Sequence, residues 1–332
     1  MAFTGPSGAT PRLSRRALLT GALLAGAAGL APARPARAAE TPQIRAAAAG
    51  WTGRGGELLV LTADALDTGY ALRILEPGEA AEPGADVTGV LGPPLPLPLP
   101  SDFTPHSMAA TGAVLWLTGA REAAPGRVRP ALLRIEDADG DYADLPVPKD
   151  IGAGLATAIA PMGEHGIAVA VEGGPDEHLT ALSRSRLAVT ADGGRTWTAG
   201  VLADDLGEGY GTVLAETGSG VFAAVADGDG TQTAATARLA EAGAPRLVLT
   251  PAGSFPGAGR PMAAVAAGTH VSLFSDRDGA VTETRFTDDE RTEAAVGPAA
   301  DCACRGEILA VPGRRGLWLE TDGTTIHIRG IR

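Results

Sequence analysis

The chain has 332 residues, 45% of them hydrophobic and only 4% aromatic, with a formal net charge of −12 and a single lysine, Lys149. So acidic a balance argues against nucleic acid as a partner, because phosphate binding needs a basic footprint. Beyond residue 38 there is no P-loop, dinucleotide fingerprint, G-x-S-x-G elbow or H-E-x-x-H, and the five histidines are scattered without metal-ligand spacing, so neither a metal nor a cofactor is expected.

At the N-terminus, Ser14-Arg15-Arg16-Ala17-Leu18-Leu19 resembles a twin-arginine export signal, followed by an Ala-, Gly- and Leu-rich stretch ending near Leu30. At roughly 14 residues the stretch is too short to span a bilayer. Ala36-Arg37-Ala38 offers an A-x-A cleavage site, so residues 1–38 are expected to be a leader removed after Ala38, leaving 39–332 as one domain. Removal takes away five arginines and no acids, which moves the net charge from −12 to −17. The resemblance implies a secreted or extracytoplasmic protein exported already folded. No later segment approaches 18 uninterrupted apolar residues, so no transmembrane span is expected in the mature form.

Along the rest of the chain a glycine followed by a short apolar run recurs at Gly56, Gly112, Gly166, Gly220, Gly268 and Gly316, at spacings of 56, 54, 54, 48 and 48 residues. A second apolar run precedes most of them, as in Ala156 to Ala160, Met262 to Ala266 and Glu307 to Val311. Each unit therefore opens as strand, tight turn, strand. An arginine among small or apolar residues follows 13 to 22 positions later, at Arg73, Arg134, Arg186, Arg238, Arg285 and Arg329, and marks a third strand. Four short antiparallel strands at a period near 50 predict an all-β, six-bladed β-propeller, with seven blades if Leu75 to Ser107 holds a degenerate unit. The last unit ends too early for a fourth strand. The segment near Gln43 to Ala48 is expected either to supply it or to begin the first blade, since closure hides sheet edges. With so few aromatics the core must rest on Val, Leu, Ile and Ala, at positions such as Val114 and Ile167.

Three stretches interrupt the period. Pro93 to Pro100 alternates Pro with Leu after its first pair, cannot form a central strand for lack of amide donors, and is expected to be an extended spacer between blades rather than a docking peptide. Asp137 to Tyr142 lacks the glycine and glutamate of a calcium loop and is assigned to a hairpin corner, as are Asp227 to Gly230 and Asp276 to Gly279. Cys302 and Cys304 are too few for a zinc site and too close for an unstrained disulfide, leaving buried thiols or a local redox bridge.

Thr190-Ala191-Asp192-Gly193-Gly194-Arg195-Thr196-Trp197 spells S/T-x-D-x-G-x-T-W. Glycines allow positive φ, the Asp accepts bonds from turn amides, and the aromatic packs beneath. The octapeptide resembles the Asp-box (BNR repeat) of the sialidase-like β-propellers, which implies a corner between a third and a fourth strand, here leading into a fourth strand at Thr196 to Val201. In that superfamily such corners lie opposite the substrate site. The resemblance therefore places a ligand among the loops entering first strands and those joining second to third strands, which carry Asp64, Asp67, Glu172, Asp176, Glu177, His178, Asp204, Asp205, Glu208, Tyr210, Asp227 and Asp229. An acidic mouth favours cationic or hydroxyl-rich ligands.

Arg45, Arg260 and Arg305 stand near the starts of first strands, where the sialidase resemblance implies an arginine clamp for a carboxylate. Ile44-Arg45-Ala46-Ala47 occupies the place of the family's F-R-I-P motif with only the arginine kept. The same resemblance makes Asp64 the candidate acid/base and Tyr210, with Glu208 nearby, the candidate nucleophile pair. Because these matches are partial, the expected function is a non-catalytic binding or scaffold protein that takes a carbohydrate, peptide or protein ligand through Arg45, Arg260, Arg305, Asp176, His178 and Asp205. The alternative is a divergent sialidase-like exo-glycosidase.

Overall fold

A computed structural model describes residues 42–49, 57–64, 69–77, 87–95, 97, 99–124, 127–136, 142–145, 152–174, 183–207, 209–240, 246–287, 291–294, 307–321 and 325–330. The leader, Asp67, Asp137, Asp176, Glu177, His178, Glu208, Cys302, Cys304 and Arg305 lie outside them. Every helix or strand element among the described residues is a β-strand.

The chain opens with β1 (Gln43–Ala49), β2 (Leu58–Ala63), β3 (Tyr70–Pro77) and β4 (Val87–Leu95). A second group holds β5 (Phe103–Thr111), β6 (Val114–Ala124), β7 (Arg127–Ile135) and β8 (Tyr142–Leu145). The third is β9 (Leu155–Met162), β10 (Gly166–Gly173), β11 (Arg184–Thr190) and β12 (Thr198–Ala203), and the fourth is β13 (Tyr210–Glu216), β14 (Val221–Ala226), β15 (Gln232–Leu239) and β16 (Leu247–Phe255). Then come β17 (Arg260–Ala267), β18 (His270–Arg277), β19 (Ala280–Thr287) and β20 (Arg291–Ala294), and finally β21 (Glu307–Ala310), β22 (Leu317–Thr321) and β23 (Ile326–Gly330). Within each group consecutive strands pair in order as an antiparallel meander.

The repeat markers fall where the period puts them. Gly166 begins a second strand, Gly220 and Gly316 immediately precede one, Gly112 and Gly268 stand two residues before one, Gly56 lies outside the described residues, and all six marker arginines sit on third strands. Gly112, Gly268 and Gly316 adopt φ of 57°, 59° and 73°, the left-handed turn conformation that a side chain resists. Gly220 is required for a second reason: a Cβ there would stand 2.1 Å from the Ala237 carbonyl oxygen on the next strand.

First strands β1, β5, β9, β13, β17 and β21 pack on one another in that order, and β21 packs back on β1. Their alanines (Ala46 to Ala49, Ala156, Ala158, Ala160, Ala263 and Ala264) are buried, as strands converging on one axis require small side chains. The core is correspondingly divided into slabs between neighbouring groups. Leu61, Leu117 and Leu133 pack between the first and second groups, Trp116, Ile167 and Val169 between the second and third, and Ile44, Val60, Leu309 and Ile326 between the last and the first. Meander sheets arranged face to face around a closed ring of first strands make this fold a β-propeller. Ile167 is fully buried as expected, whereas Val114 is half-buried.

Closure follows a route that the sequence did not reveal. Gln43–Ala49 begins the first meander and does not complete the last one. The missing outer strand comes from the N-terminal end of β4, where Val87, Thr88 and Gly89 pair with Ile328, His327 and Ile326 of β23. Gly89 to Leu95 meanwhile pair with Pro77 to Leu72 of β3. One strand thus serves as the outer edge of two sheets, giving a continuous seven-stranded sheet, β1-β2-β3-β4-β23-β22-β21. Gly89 sits at the fork, where a Cβ would lie 2.6 Å from Leu75 Cδ1.

The proline-rich segment is partly strand: Pro94 opposes Arg73 at the C-terminal end of β4. An edge strand tolerates proline because its outer side asks for no amide donor. Beyond it, Leu97 and Leu99 pack with Leu95 against the slab between the first two meanders, so the described residues between Leu75 and Ser107 belong to the end of β3, to β4, to this packed link and to the start of β5. Asp227 and Asp276 act as turn residues: the Asp227 carboxylate accepts from the Asp229 and Thr231 amides at 3.0 and 2.8 Å, and that of Asp276 from the Gly279 amide at 2.8 Å.

The octapeptide forms the corner from β11 into β12. Asp192 accepts from the Thr196 amide at 2.9 Å and from the Thr196 and Thr190 hydroxyls at 2.6 and 2.8 Å, while the Thr190 hydroxyl oxygen accepts from the Gly194 amide at 3.0 Å. Gly193 and Gly194 have φ of 70° and 86°, and the Trp197 indole donates to the Gly194 carbonyl at 3.1 Å. The Thr196 hydroxyl, then its amide, hold the Asp192 carboxyl down from 3.8 to about 2. A carboxyl depressed in the folded state stabilises above its unfolded value, near 4, and that contribution is lost as pH falls through about 2. Asp192→Asn is therefore expected to lower the melting temperature most between pH 5 and 7, on the order of the ordinary working range of a carboxylate, with the gap to the parent closing as pH approaches 2. A gap that stays constant down to low pH contradicts this role for the Asp192 charge.

Candidate functional site

The two ends of the propeller differ in construction. First-to-second hairpins and the β11–β12 corner share one end, where the Gly193 amide donates to the His165 carbonyl at 3.1 Å. Second-to-third turns and the links entering each first strand share the other, which is the end the sequence marks as a mouth.

At the hairpin end, the β21–β22 turn ties both of its neighbours. Ala49 N–H donates to Pro312 O at 3.0 Å and Gly316 N–H to Ala266 O at 2.7 Å, while Gly313 lies so near Ala49 O that a Cβ would stand 2.7 Å away. The turn edges an open depression bordered by Ala160, Ala215, Glu216, Ala264 and Arg315, with a volume of about 30 Å³. That holds a water or two and falls far short of the roughly 300 Å³ that small-ligand sites begin at. Burial pushes the Glu216 carboxyl up, against the opposing effects of the Arg315 charge and the Gly163 amide.

At the other end, the described candidates are spread over the first, fourth and fifth meanders and the link entering the fourth. Arg260 is the first residue of β17 and Arg45 the third of β1, both half-buried, and these strands flank β21. Tyr210 opens β13, next to β17. Asp64 ends the run from β2, exposed, with its amide donating to the Gly69 carbonyl at 2.9 Å. Asp205 is exposed at φ 57° in the link from β12 to β13, beside Leu206, whose amide donates to the Ser183 carbonyl at 2.9 Å.

Other polar groups at this end are built into the fold. Glu172, expected at the mouth, is 2% exposed at the end of β10, and its carboxylate accepts from the Thr212 amide of the next meander. The Ser185 and Thr212 hydroxyls meet at 2.7 Å across the same seam. One seam further on, the buried Gln232 amide donates to Gly259 O at 2.9 Å and to Ser275 Oγ at 2.7 Å. Sequence reasoning missed Ser185, Thr212, Gln232 and Ser275 because nothing in their local spacing distinguishes a seam polar group from a surface one. Among the described residues no group of three or more His, Cys, Asp or Glu side chains is arranged to hold a metal ion.

No protein-family model matches the chain, and no curated protein does. Solved structures do resemble it. The apo-form of the soluble aldose sugar dehydrogenase of Escherichia coli is 13% identical over 87% of this chain and 96% of that one, with a TM-score of 0.56. A putative oxidoreductase (glucose dehydrogenase) of Thermus thermophilus is 12% identical over 87% and 96%, with a TM-score of 0.51. The β-propeller domain of Cps50 (Swd1) from Myceliophthora thermophila is 13% identical over 88% and 100%, with a TM-score of 0.48. At such identities the likeness is one of fold, and propeller folds carry both binding domains and enzymes.

Proposed function

We propose that this chain is an exported, six-bladed propeller of the sialidase-like superfamily that binds a ligand at the strand-start end without turning it over. Residues 1–38 serve as a twin-arginine leader cleaved after Ala38, and the Thr190–Trp197 corner is its Asp-box. The observation that supports the binding reading is the engagement of Glu172, Ser185, Thr212, Gln232 and Ser275 in bonds that join neighbouring blades. Polar groups fixed in such seams preorganise a rigid rim, which suits recognition.

The sialidase-like exo-glycosidase is the second reading, favoured by Arg260 and Arg45 at the starts of the strands that flank β21. In that reading Arg45, Arg260 and Arg305 clamp a carboxylate, Asp64 is the acid/base and Tyr210 with Glu208 is the nucleophile pair. A panel of fluorogenic glycosides separates the two. The binding protein predicts no turnover by the purified protein on any of them, together with retention of a ligand on a glycan or peptide array that Asp205→Ala weakens. Turnover abolished by Arg45→Ala establishes the enzyme instead.

A further inference from the structure

The β21–β22 turn departs from its counterparts at the hairpin end. The β5–β6 and β17–β18 turns hold two residues each and the β9–β10 turn three, whereas β21 ends at Ala310 and β22 begins at Leu317, which leaves six. The longer turn is held in one shape. Val311 is buried at its base, the Arg314 amide donates to Val311 O at 3.1 Å, and Gly313 and Gly316 take φ of 88° and 73°.

Its reach fixes where it lies. First strands follow one another round the ring as β1, β5, β9, β13, β17 and β21, so β21 has β17 and β1 as neighbours, with β13 and β5 one place further on. On one side, a Cβ at Gly313 would stand 2.7 Å from Ala49 O at the end of β1 and 3.7 Å from Ala110 O near the end of β5. On the other, the Gly316 amide donates to Ala266 O of β17 at 2.7 Å, and the Arg315 charge acts on the Glu216 carboxyl at the end of β13. A turn rising from β21 meets β5 and β13 together only by lying across the axis. β9 stands three places from β21 in either direction. On that side the open depression between Ala160 of β9, Glu216 and Arg315 remains, and its volume of about 30 Å³ admits a water and little more. Glu216 stands on its rim, its carboxylate accepting from the Gly163 amide of the β9–β10 turn within reach of the Arg315 charge.

We infer that the β21–β22 turn is a lid across the hairpin end of the axis, latched to β13 through Arg315 and Glu216, that keeps solutes larger than water from entering the propeller there. The lid meets β1 and β17 through backbone bonds and β13 through side chains, so the edge that carries Arg315 is the one that lifts. The inference goes beyond the proposed function: a lid at this end leaves the strand-start end as the side from which a ligand approaches, whether the chain binds that ligand or turns it over.

The test is thiol access beneath the lid. Ala266→Cys, in a chain whose Cys302 and Cys304 are replaced by serine, places the thiol on the residue whose carbonyl the lid holds and beside the depression. Its reaction with a fluorescent maleimide is followed on the folded protein and divided by the rate of the same chain in urea. Arg315→Gln is expected to raise that ratio about two- to fivefold, the worth of one screened surface pair. Replacing Pro312 to Arg315 by Asn-Gly, which removes the lid, is expected to raise it roughly tenfold or more, because the thiol then reacts without waiting for a local opening. Ile167→Val, a core truncation on β10 with no part in the turn, is expected to leave the ratio unchanged, which separates lid opening from general loosening. A parent that labels as fast as the shortened chain, an unchanged ratio in Arg315→Gln, or equal acceleration by Ile167→Val and Arg315→Gln overturns the inference. If the urea transition shows that the shortened chain does not refold, the comparison of Arg315→Gln with Ile167→Val decides by itself.

Discussion

Trp116→Ala is expected to destabilise the protein by about 3–5 kcal/mol, the range for emptying a buried aromatic site. Trp116 is 1% exposed on β6, and its indole N–H donates to Thr111 Oγ1 at 2.9 Å. On one side the ring faces Ile167, Val169 and Ala188 of the next meander; Gly194 lies so near its edge that a Cβ there would stand 3.7 Å from Trp116 Cη2. The guanidinium of Arg134 lies over it, 5.6 Å from the centroid. A chain with 4% aromatic residues has few such fillers, and the alanines around Trp116 are too small to collapse into the void. Since total stability is typically about 5–15 kcal/mol, the loss is a large fraction of the whole. Urea unfolding of the two proteins reads it as a shifted midpoint at constant slope. A change below about 1 kcal/mol would show that the second and third meanders do not meet at this residue.

Much of this architecture was legible along the chain because each meander is local. A turn glycine with positive φ and an apolar run after it specify a hairpin within about ten residues, which is why Gly112, Gly268 and Gly316 located second strands correctly. The arginines located third strands for a different reason: their stems lie along the sheet while their heads reach buried glutamates of the same sheet, as Arg329 reaches Glu320 Oε2 at 3.0 Å and Arg285 reaches Glu283 Oε1 at 2.8 Å. The fourth strand after the octapeptide begins at Thr198, two residues later than its turn chemistry suggests, because Asp192 holds Thr196 inside the corner.

Closure was not legible for a physical reason. Pairing of Val87 to Gly89 with Ile326 to Ile328 joins segments at opposite ends of the domain, and neither carries a turn or a period that points to the other. The prolines in β4 concealed it further, since they argue against a strand everywhere except on an edge. At the strand-start end, Glu172 looked available because it terminates an apolar run where a loop begins. Only the approach of the Thr212 amide from the next meander shows that its carboxylate belongs to a seam.

A ring sealed by one shared strand should tolerate, and gain from, a covalent link at the seal. Thr88 and His327 are direct antiparallel partners, and such pairs hold their Cα atoms about 4.5–5.5 Å apart, within the span of a disulfide. Oxidation of Thr88→Cys/His327→Cys, made in a chain whose Cys302 and Cys304 are replaced by serine, is expected to join these two positions quantitatively. Loop-closure entropy for so long a loop stabilises by about 5 kcal/mol when native geometry is undistorted. The decisive measurement is peptide mapping of the oxidised protein alongside its urea midpoint. A single 88–327 linkage with a raised midpoint is the predicted result, and a protein that folds with both thiols free, or bridges only between molecules, contradicts closure of the propeller through β4 and β23.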